Sequence, residues 1–139
     1  MKEKLMGREI SPEDFIIALE SVCSKETSSD PNGWKKENPL WGHCAVVSLI
    51  AQDYFGGMLL RASLSNISEF KHMRPHYWNR LKDGREIDFT KSQFGSNYPE
   101  GLLPEEKTRG CVLSNPETSK RYKLLKSRLS TILIKKFLT

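Results

Sequence analysis

The sequence predicts an α+β fold in which helices pack on a small antiparallel β-sheet, within a single domain spanning residues 1–139. One observation is a nearly continuous apolar helix at about 43–55, bounded by turn residues and a Gly-Gly pair. The second is a strong β-hairpin pattern at about 75–90. The third is an amphipathic helical pattern near each end of the chain.

Caps, glycine stops and hydrophobic periodicity then predict the individual elements. Ser11 and Asn115 each stand before a proline, which suits the first position of a helix. In chain order, the predicted elements are a helix at about 11–23, the apolar helix at about 43–55, strands at about 58–64, 75–81 and 85–90, a brief edge strand at Cys111–Leu113, and a basic helix at about 116–136.

The composition is that of an ordinary globular protein, with 37% hydrophobic and 28% charged residues, and this excludes a disordered chain. The first ten residues are charged and lack the apolar core of a signal peptide. No apolar run approaches the ~20 residues that span a bilayer. Three cysteines without paired spacing fit reduced thiols. We therefore expect a cytoplasmic protein with no membrane partner.

The net charge of +5 is concentrated in the last helix. Seven basic residues and one acidic residue lie between Glu117 and Thr139. The ordinary explanation of these basic residues is a helix face exposed to solvent. The more specific explanation is a partner that is acidic or carries phosphate groups. Nucleic-acid binding is not expected, because no RNP-type aromatic motif accompanies the charge.

Cys44 is the residue best placed for chemistry. Pro39 and Gly42 prevent a helix before it, so Cys44 falls in the first turn of the apolar helix. Unpaired backbone N–H groups and the positive end of the helix dipole favour the thiolate form of such a cysteine. We expect the adjacent His43 to point away from it. A small buried core residue is the alternative interpretation of Cys44.

The register of the hairpin decides whether a histidine and an acid can meet. If Leu81 faces Arg85 across a three-residue loop, His76 and Asp88 are diagonal neighbours on one sheet face. A two-residue loop would turn His76 to the opposite side. The sequence favours the three-residue loop, although Asp88 could still pair with Arg85 instead of His76.

In that register, the chain supplies Cys44 as nucleophile, His76 as base and acid, and Asp88 to fix the imidazole tautomer. The backbone N–H of Cys44 and the side chain of Asn38 are candidate oxyanion donors. The predicted chemistry is acyl transfer through a thioester, on an amide- or ester-containing substrate such as a peptide or protein. No cofactor is expected.

Several short motifs occur together in an order typical of one family. They are Gly42-His43-Cys44-Ala45-Val46-Val47, Gly56-Gly57, His76-Tyr77-Trp78-Asn79-Arg80-Leu81, Asp83-Gly84, Ile87-Asp88-Phe89-Thr90, Gln93-Phe94 and Arg121-Tyr122. Over roughly residues 38–129 this combination resembles the small bacterial YunG-like family. The order of cysteine, histidine and acid also resembles papain-like thiol enzymes, including the transglutaminase-like branch. The resemblance implies a papain-like core and a Cys44-His76-Asp88 triad, but no particular substrate.

Trp41, Trp78 and Gln93 complete the candidate substrate-binding residues. Trp41 adjoins the cysteine turn, and Gln93 belongs to one of the resembling motifs. Packing is the ordinary explanation for Trp78. Asn38 stands where papain-like enzymes commonly have a glutamine.

Two other classes of function stay open. One is a non-catalytic binding module that uses the groove or the basic C-terminal helix to hold a partner. The other is a zinc site built from Cys44, His72, His76 and Asp88, which are acceptable ligand types. Because no CxxC, HxH or HExxH spacing brings two of them together, no metal is expected.

Overall fold

The computed structural model describes residues 4–5, 8–70 and 73–138. Its helices are α1 (Pro12–Val22), α2 (Cys44–Phe55), α3 (Arg109–Leu113) and α4 (Pro116–Leu138), with 3₁₀ turns at Lys25–Thr27 and Lys91–Phe94. Its strands are β1 (Lys4–Leu5), β2 (Arg8–Glu9), β3 (Met58–Ala62), β4 (His76–Arg80), β5 (Glu86–Ile87) and β6 (Glu105–Lys107). The predicted α+β class, with helices and a small antiparallel sheet, is confirmed.

Four strands form the main sheet, in the order β5-β4-β3-β6, and every neighbouring pair is antiparallel. Strands β1 and β2 pair separately. Asn79 lies opposite Ile87, and Leu81 N donates to Arg85 O at 2.7 Å. The predicted three-residue hairpin loop is therefore confirmed, with Gly84 at φ 91° as the turn requires.

The predicted edge strand at Cys111–Leu113 is wrong, because these residues belong to helix α3. The Thr108 side chain caps that helix by accepting a hydrogen bond from Cys111 N at 3.1 Å. Val112 is the buried residue of the short helix. The sheet edge is formed by the charged strand β6, whose side chains suit an edge exposed to water.

Strand β5 is shorter than the predicted span of 85–90 and ends before Asp88. Thr90 N donates to Asp88 Oδ1 at 3.0 Å, so an Asx turn replaces the strand ladder there. Strand β3 likewise ends at Ala62, two residues before the predicted end.

The core lies between α2 and the other long helices. Phe15 of α1 packs its ring 5.2 Å, between centroids, from the rings of Phe55 and Phe89. From α4 the fully buried side chains are Leu125, Leu129 and Leu133. Within the described part of the chain, no helix is long and apolar enough to cross a membrane.

Two contacts fix β4 against α2. Asn79 Nδ2 donates to Ser48 O at 3.0 Å in the buried interior. Gly57, at φ 81°, passes so close to Arg80 O that a Cβ atom there would collide with it. These contacts set the position of His76, at the start of β4, relative to Cys44, at the start of α2.

Candidate active site

Cys44 is the first residue of α2 and is half-buried. The turn before it is held by Gln93, whose Oε1 accepts a hydrogen bond from Gly42 N at 3.2 Å. Gly42 has a φ of 76°, which lets the chain turn sharply into the helix. The backbone N–H groups of the first helical turn have no intrahelical partner, which leaves them available to other acceptors.

The His76 imidazole lies between Asp88 and Cys44. Its Nε2 is 2.5 Å from Asp88 Oδ2. The Cys44 side chain lies near enough to raise the pKa of the imidazole, while the Cys44 thiol itself donates to Pro75 O at 3.9 Å. Because Asp88 occupies Nε2, Nδ1 is the nitrogen left for Cys44. The imidazole is also held by two rings: Trp78 stacks on it at 5.6 Å, and Phe94 meets it edge-on at 5.0 Å.

Burial, acting alone, would lower the pKa of His76, whose side chain is only 1% exposed. The hydrogen bond from His76 to Asp88, together with the influence of Cys44, outweighs burial and raises this pKa to about 9. The imidazole therefore carries a proton at neutral pH.

Asp88 is held by four hydrogen bonds. Oδ1 accepts from Thr90 N at 3.0 Å and from Thr90 Oγ1 at 3.2 Å, and Oδ2 accepts from His76 and from the Tyr98 hydroxyl at 2.7 Å. Arg85 does not compete for this carboxylate, because it pairs with Asp83 at 2.8 Å. The acid is thus fixed in place to orient the histidine.

Tyr98 was missed by the sequence analysis. It lies in the irregular connection between β5 and β6, where no periodic pattern marks inward-facing residues. Burial, and then the charge of Asp88, raise the pKa of the Tyr98 hydroxyl, so the group stays protonated and donates. Its ring packs edge-on against Phe94, with centroids 5.6 Å apart.

Two clefts meet at Cys44. The first, here called the aromatic cleft, has a volume of about 350 Å³, and its walls include Trp41, Leu64, Met73, His76 and Phe94. The second, here called the arginine cleft, has a volume of about 230 Å³, and its walls include Arg61, Arg74, Tyr77 and Arg121. Cys44 and Arg74 line both clefts.

The predicted substrate-binding residues occupy different places. Trp41 lines the aromatic cleft and donates through Nε1 to Asp30 Oδ2 at 2.9 Å. Gln93 lines the same cleft, but its Nε2 donates to Thr90 Oγ1 at 2.9 Å. Trp78 is buried behind the imidazole. Their roles toward a substrate stay predictions.

Asn38 lines neither of the two clefts. Its Nδ2 donates to Gln93 O at 3.0 Å, which ties the cysteine turn to the 3₁₀ turn at Lys91–Phe94. The amide has a second N–H, so its predicted role as an oxyanion donor also stays a prediction.

His43 is fully buried and, as expected, lines neither cleft at Cys44. Its Nδ1 donates to Trp41 O at 2.8 Å, and its Nε2 accepts from the Thr27 hydroxyl at 2.7 Å. Burial lowers the pKa of His43 to about 4. This histidine is therefore neutral and structural.

The other two cysteines differ from Cys44. Cys23 is buried, and burial followed by the charge of Glu20 raises its pKa to about 12. Cys111 is exposed on α3. Among the described residues no three His, Cys, Asp or Glu side chains are grouped to hold a metal ion. His72, one of the zinc-ligand candidates, lies outside the described residues.

Comparisons with known proteins agree on one family. The profile described as YunG protein matches residues 11–133. The Uncharacterized protein YunG of Bacillus subtilis (strain 168) is 27% identical over 99 residues, which cover 71% of this chain and 76% of that protein. No solved structure matches the chain. Because the profile spans nearly the whole of the described fold, the chain belongs to the YunG protein family.

Proposed function

We propose that this protein is a cysteine-dependent acyl-transfer enzyme, with Cys44 as nucleophile, His76 as general acid and base, and Asp88 as the residue that orients His76. The observation that carries the proposal is the buried imidazole of His76, 2.5 Å from the Asp88 carboxylate and lining the same cleft as Cys44, whose side chain raises the pKa of the imidazole. Such an arrangement supports a thiolate–imidazolium pair, which is the reactive form of a catalytic cysteine.

The proposed reaction has two steps. Cys44 Sγ bonds to the carbonyl carbon of an amide, peptide or isopeptide, the His76 proton passes to the leaving nitrogen, and the C–N bond breaks to give a thioester and a free amine. Water or a second amine then adds to the thioester carbonyl and gives its proton to His76. The C–S bond breaks, and the thiolate–imidazolium pair is restored.

The oxyanion formed in each step needs a hydrogen-bond donor. The backbone N–H of Cys44 is the proposed donor, because the first turn of α2 leaves its N–H groups without intrahelical partners. In well-studied hydrolases one such donor is worth ~3–4 kcal/mol of transition-state stabilisation.

A papain-like architecture belongs to the proposal as well. It is supported by a nucleophile at the N-terminus of a central helix, followed in the chain by antiparallel strands that carry the histidine and precede the acid. A cytoplasmic location is part of the same proposal, since a reducing compartment keeps a catalytic thiol free.

Alkylation by iodoacetamide near pH 6 tests the proposal without a known substrate. Peptide mapping by mass spectrometry would follow the three cysteines separately, with exposed Cys111 as the internal reference thiol. We expect Cys44 to react faster than Cys111, and we expect His76→Ala to slow Cys44 on the order of tenfold or more while leaving Cys111 unchanged.

Asp88→Asn provides a second variant in case His76→Ala fails to fold, and far-UV circular dichroism would check both. It should slow Cys44 as well, because the imidazole loses its charged partner. Slow alkylation of Cys44 that neither variant alters would overturn the proposal and would favour a non-catalytic binding module on the same fold.

A further inference from the structure

The arginine cleft has an unusual balance of charge. Three arginines, Arg61, Arg74 and Arg121, line its walls, and no acidic residue does. Arg61 is paired with Glu105 at 2.9 Å on the sheet edge. Neither Arg74 nor Arg121 forms an ion pair with any acidic side chain in the described ranges 4–5, 8–70 and 73–138.

Arg121 is held in place but is not satisfied. Its Nη2 donates a long hydrogen bond of 3.4 Å to Thr118 Oγ1, and its Nε is buried without a partner. A buried donor without an acceptor is unfavourable, so the guanidinium group would gain from an acceptor that reaches it from the cleft.

The two arginines also act on each other. Burial, and then the charge of Arg74, lower the pKa of Arg121, while Glu117 and Cys44 oppose this effect. Glu117 stands one turn earlier on α4 and lines a neighbouring groove, which Arg74 and Arg121 also line, but it does not line the arginine cleft. A pair of like charges facing one cavity creates a field that attracts an anion.

We propose that Arg74 and Arg121 form an anion subsite beside Cys44, and that the substrate carries a carboxylate or phosphate group close to the carbonyl that Cys44 attacks. This inference rests on the proposed function and names the chemical class of its substrate. Guanidinium groups suit this role because they bind carboxylate and phosphate oxygens through two parallel N–H donors.

The aromatic cleft is the other cleft at Cys44 that a substrate could occupy. Its wall combines apolar side chains, such as Leu64 and Phe94, with charged and polar ones, such as Asp30. Cys44 lies where this cleft meets the arginine cleft, so a substrate bound in both would reach the sulfur.

Iodoacetate and iodoacetamide test the subsite directly. Both form the same S–CH₂ bond with Cys44 and release iodide, but only iodoacetate carries a negative charge. We expect Arg121→Gln and Arg74→Gln each to lower the iodoacetate-to-iodoacetamide rate ratio at Cys44 by at least about threefold. Arg121→Lys, which keeps the charge, should retain most of the ratio.

Lys123→Gln is the matched control, because Lys123 is an exposed residue of the same helix and its loss removes the same charge. It should leave the ratio unchanged. An equal iodoacetate-to-iodoacetamide rate ratio in the wild type, Arg121→Gln and Arg74→Gln would overturn the proposed anion subsite. The proposed function is judged separately, by the iodoacetamide rate of His76→Ala, so the two failures are distinguishable.

Protection of Cys44 from iodoacetamide distinguishes the two anions. Inorganic phosphate and acetate would be compared at equal ionic strength. Protection by phosphate identifies a phosphorylated substrate, and protection by acetate identifies a carboxylate-bearing one. If neither ion protects Cys44, the arginines exert only a diffuse field, and the subsite is overturned.

Discussion

His43 and His76 show how the surroundings of an imidazole decide its charge. Both rings are almost fully buried, yet their pKa values shift in opposite directions, to about 4 and about 9. His43 has only a carbonyl and a hydroxyl as side-chain partners, so burial dominates. His76 is hydrogen-bonded to a carboxylate and is also influenced by Cys44, so its positive form is favoured.

The first prediction concerns the charge of His76. Its imidazole should titrate near pH 9 in ¹H–¹⁵N NMR spectra, and the midpoint should fall in Cys44→Ala, because the contact with Cys44 is one of the causes that raise this pKa. Asp88→Asn should lower the midpoint too. A midpoint near pH 6.5 in the wild type would contradict the interpretation of His76 as an imidazolium.

A second prediction concerns His43 and acid stability. In the unfolded chain this imidazole takes up a proton near pH 6.5, whereas in the folded protein it does so only near pH 4. The unfolded state therefore binds more protons in this window, and the free energy of unfolding should fall by up to about 3 kcal/mol as pH decreases from 6.5 to 4.

Urea denaturation at several pH values would measure this loss, with His43→Gln as the comparison. The variant should be less stable at pH 7 but should lose less stability on acidification. Parallel pH profiles for the two proteins would contradict the assignment. His76 affects stability over a different pH range. Because its pKa is raised in the folded protein, its protonation stabilises the fold, and this stabilisation is lost as pH rises from 6.5 toward 9.

Among the elements, those with strong local signals were predictable. Gly42 and Gly56 mark the ends of α2, and the loop before Arg85 fixed the hairpin register, because turn chemistry acts over a few residues. Helix α3 and strand β6 were not predictable. Each is short, and its identity depends on packing against distant parts of the chain.

Gly57 gives a third prediction, at the junction of α2 and β3. Gly57→Ala should lower the free energy of unfolding by at least about 2 kcal/mol, because the residue has a positive φ and its Cβ would collide with Arg80 O. Thermal or urea denaturation would measure the change.

Gly101→Ala is the matched control for that experiment. Gly101 has a similar φ of 71°, but its Cβ would meet nothing within 4 Å. Its substitution should therefore cost only about 1 kcal/mol, the penalty of the left-handed conformation itself. Equal losses in the two variants would mean that close approach to β4 is unimportant.

At the scale of the whole molecule, α4 completes the core. It runs past both α1 and α2 and buries three leucines against them. The helical spacing of its apolar residues predicts this packing face from the sequence. The sequence could not show that the polar side of the same helix would bring Arg121 to the cleft beside Cys44, because that depends on the three-dimensional path of the chain.

The fourth prediction tests this role of α4. Leu129→Ala should lower the free energy of unfolding by about 2–5 kcal/mol, since the side chain is fully buried and its loss leaves a cavity. Leu124→Ala, on the exposed side of the same helix, should cost less than about 1 kcal/mol. Similar losses would show that the helix is only loosely attached.

The candidate site, like the fold, was predictable only where local sequence rules apply. The meeting of His76 and Asp88 followed from the hairpin register, which is local. The pairing of His76 with Cys44 was a hypothesis from residue types and hairpin register, supported by a family resemblance, since no local rule connects a helix N-terminus with a strand beginning more than thirty residues later. Tyr98 and Arg74 lie in irregular connections, and the position of Arg121 depends on how helix α4 docks; a single sequence reveals neither.

The connection from Asp88 to Glu105 has a topological consequence. It starts at the edge strand β5 and finishes at β6, the edge strand on the opposite side of the sheet. The end of β5 and the beginning of β6 both lie at the end of the sheet where His76 begins β4. The connection must therefore cross in front of the imidazole, bringing Gln93 and Tyr98 with it. A deletion that shortened this connection would detach the edge strand β6 and break the contact between Asp88 and His76. Shortening the loop to change the shape of the cleft would therefore also weaken the sheet.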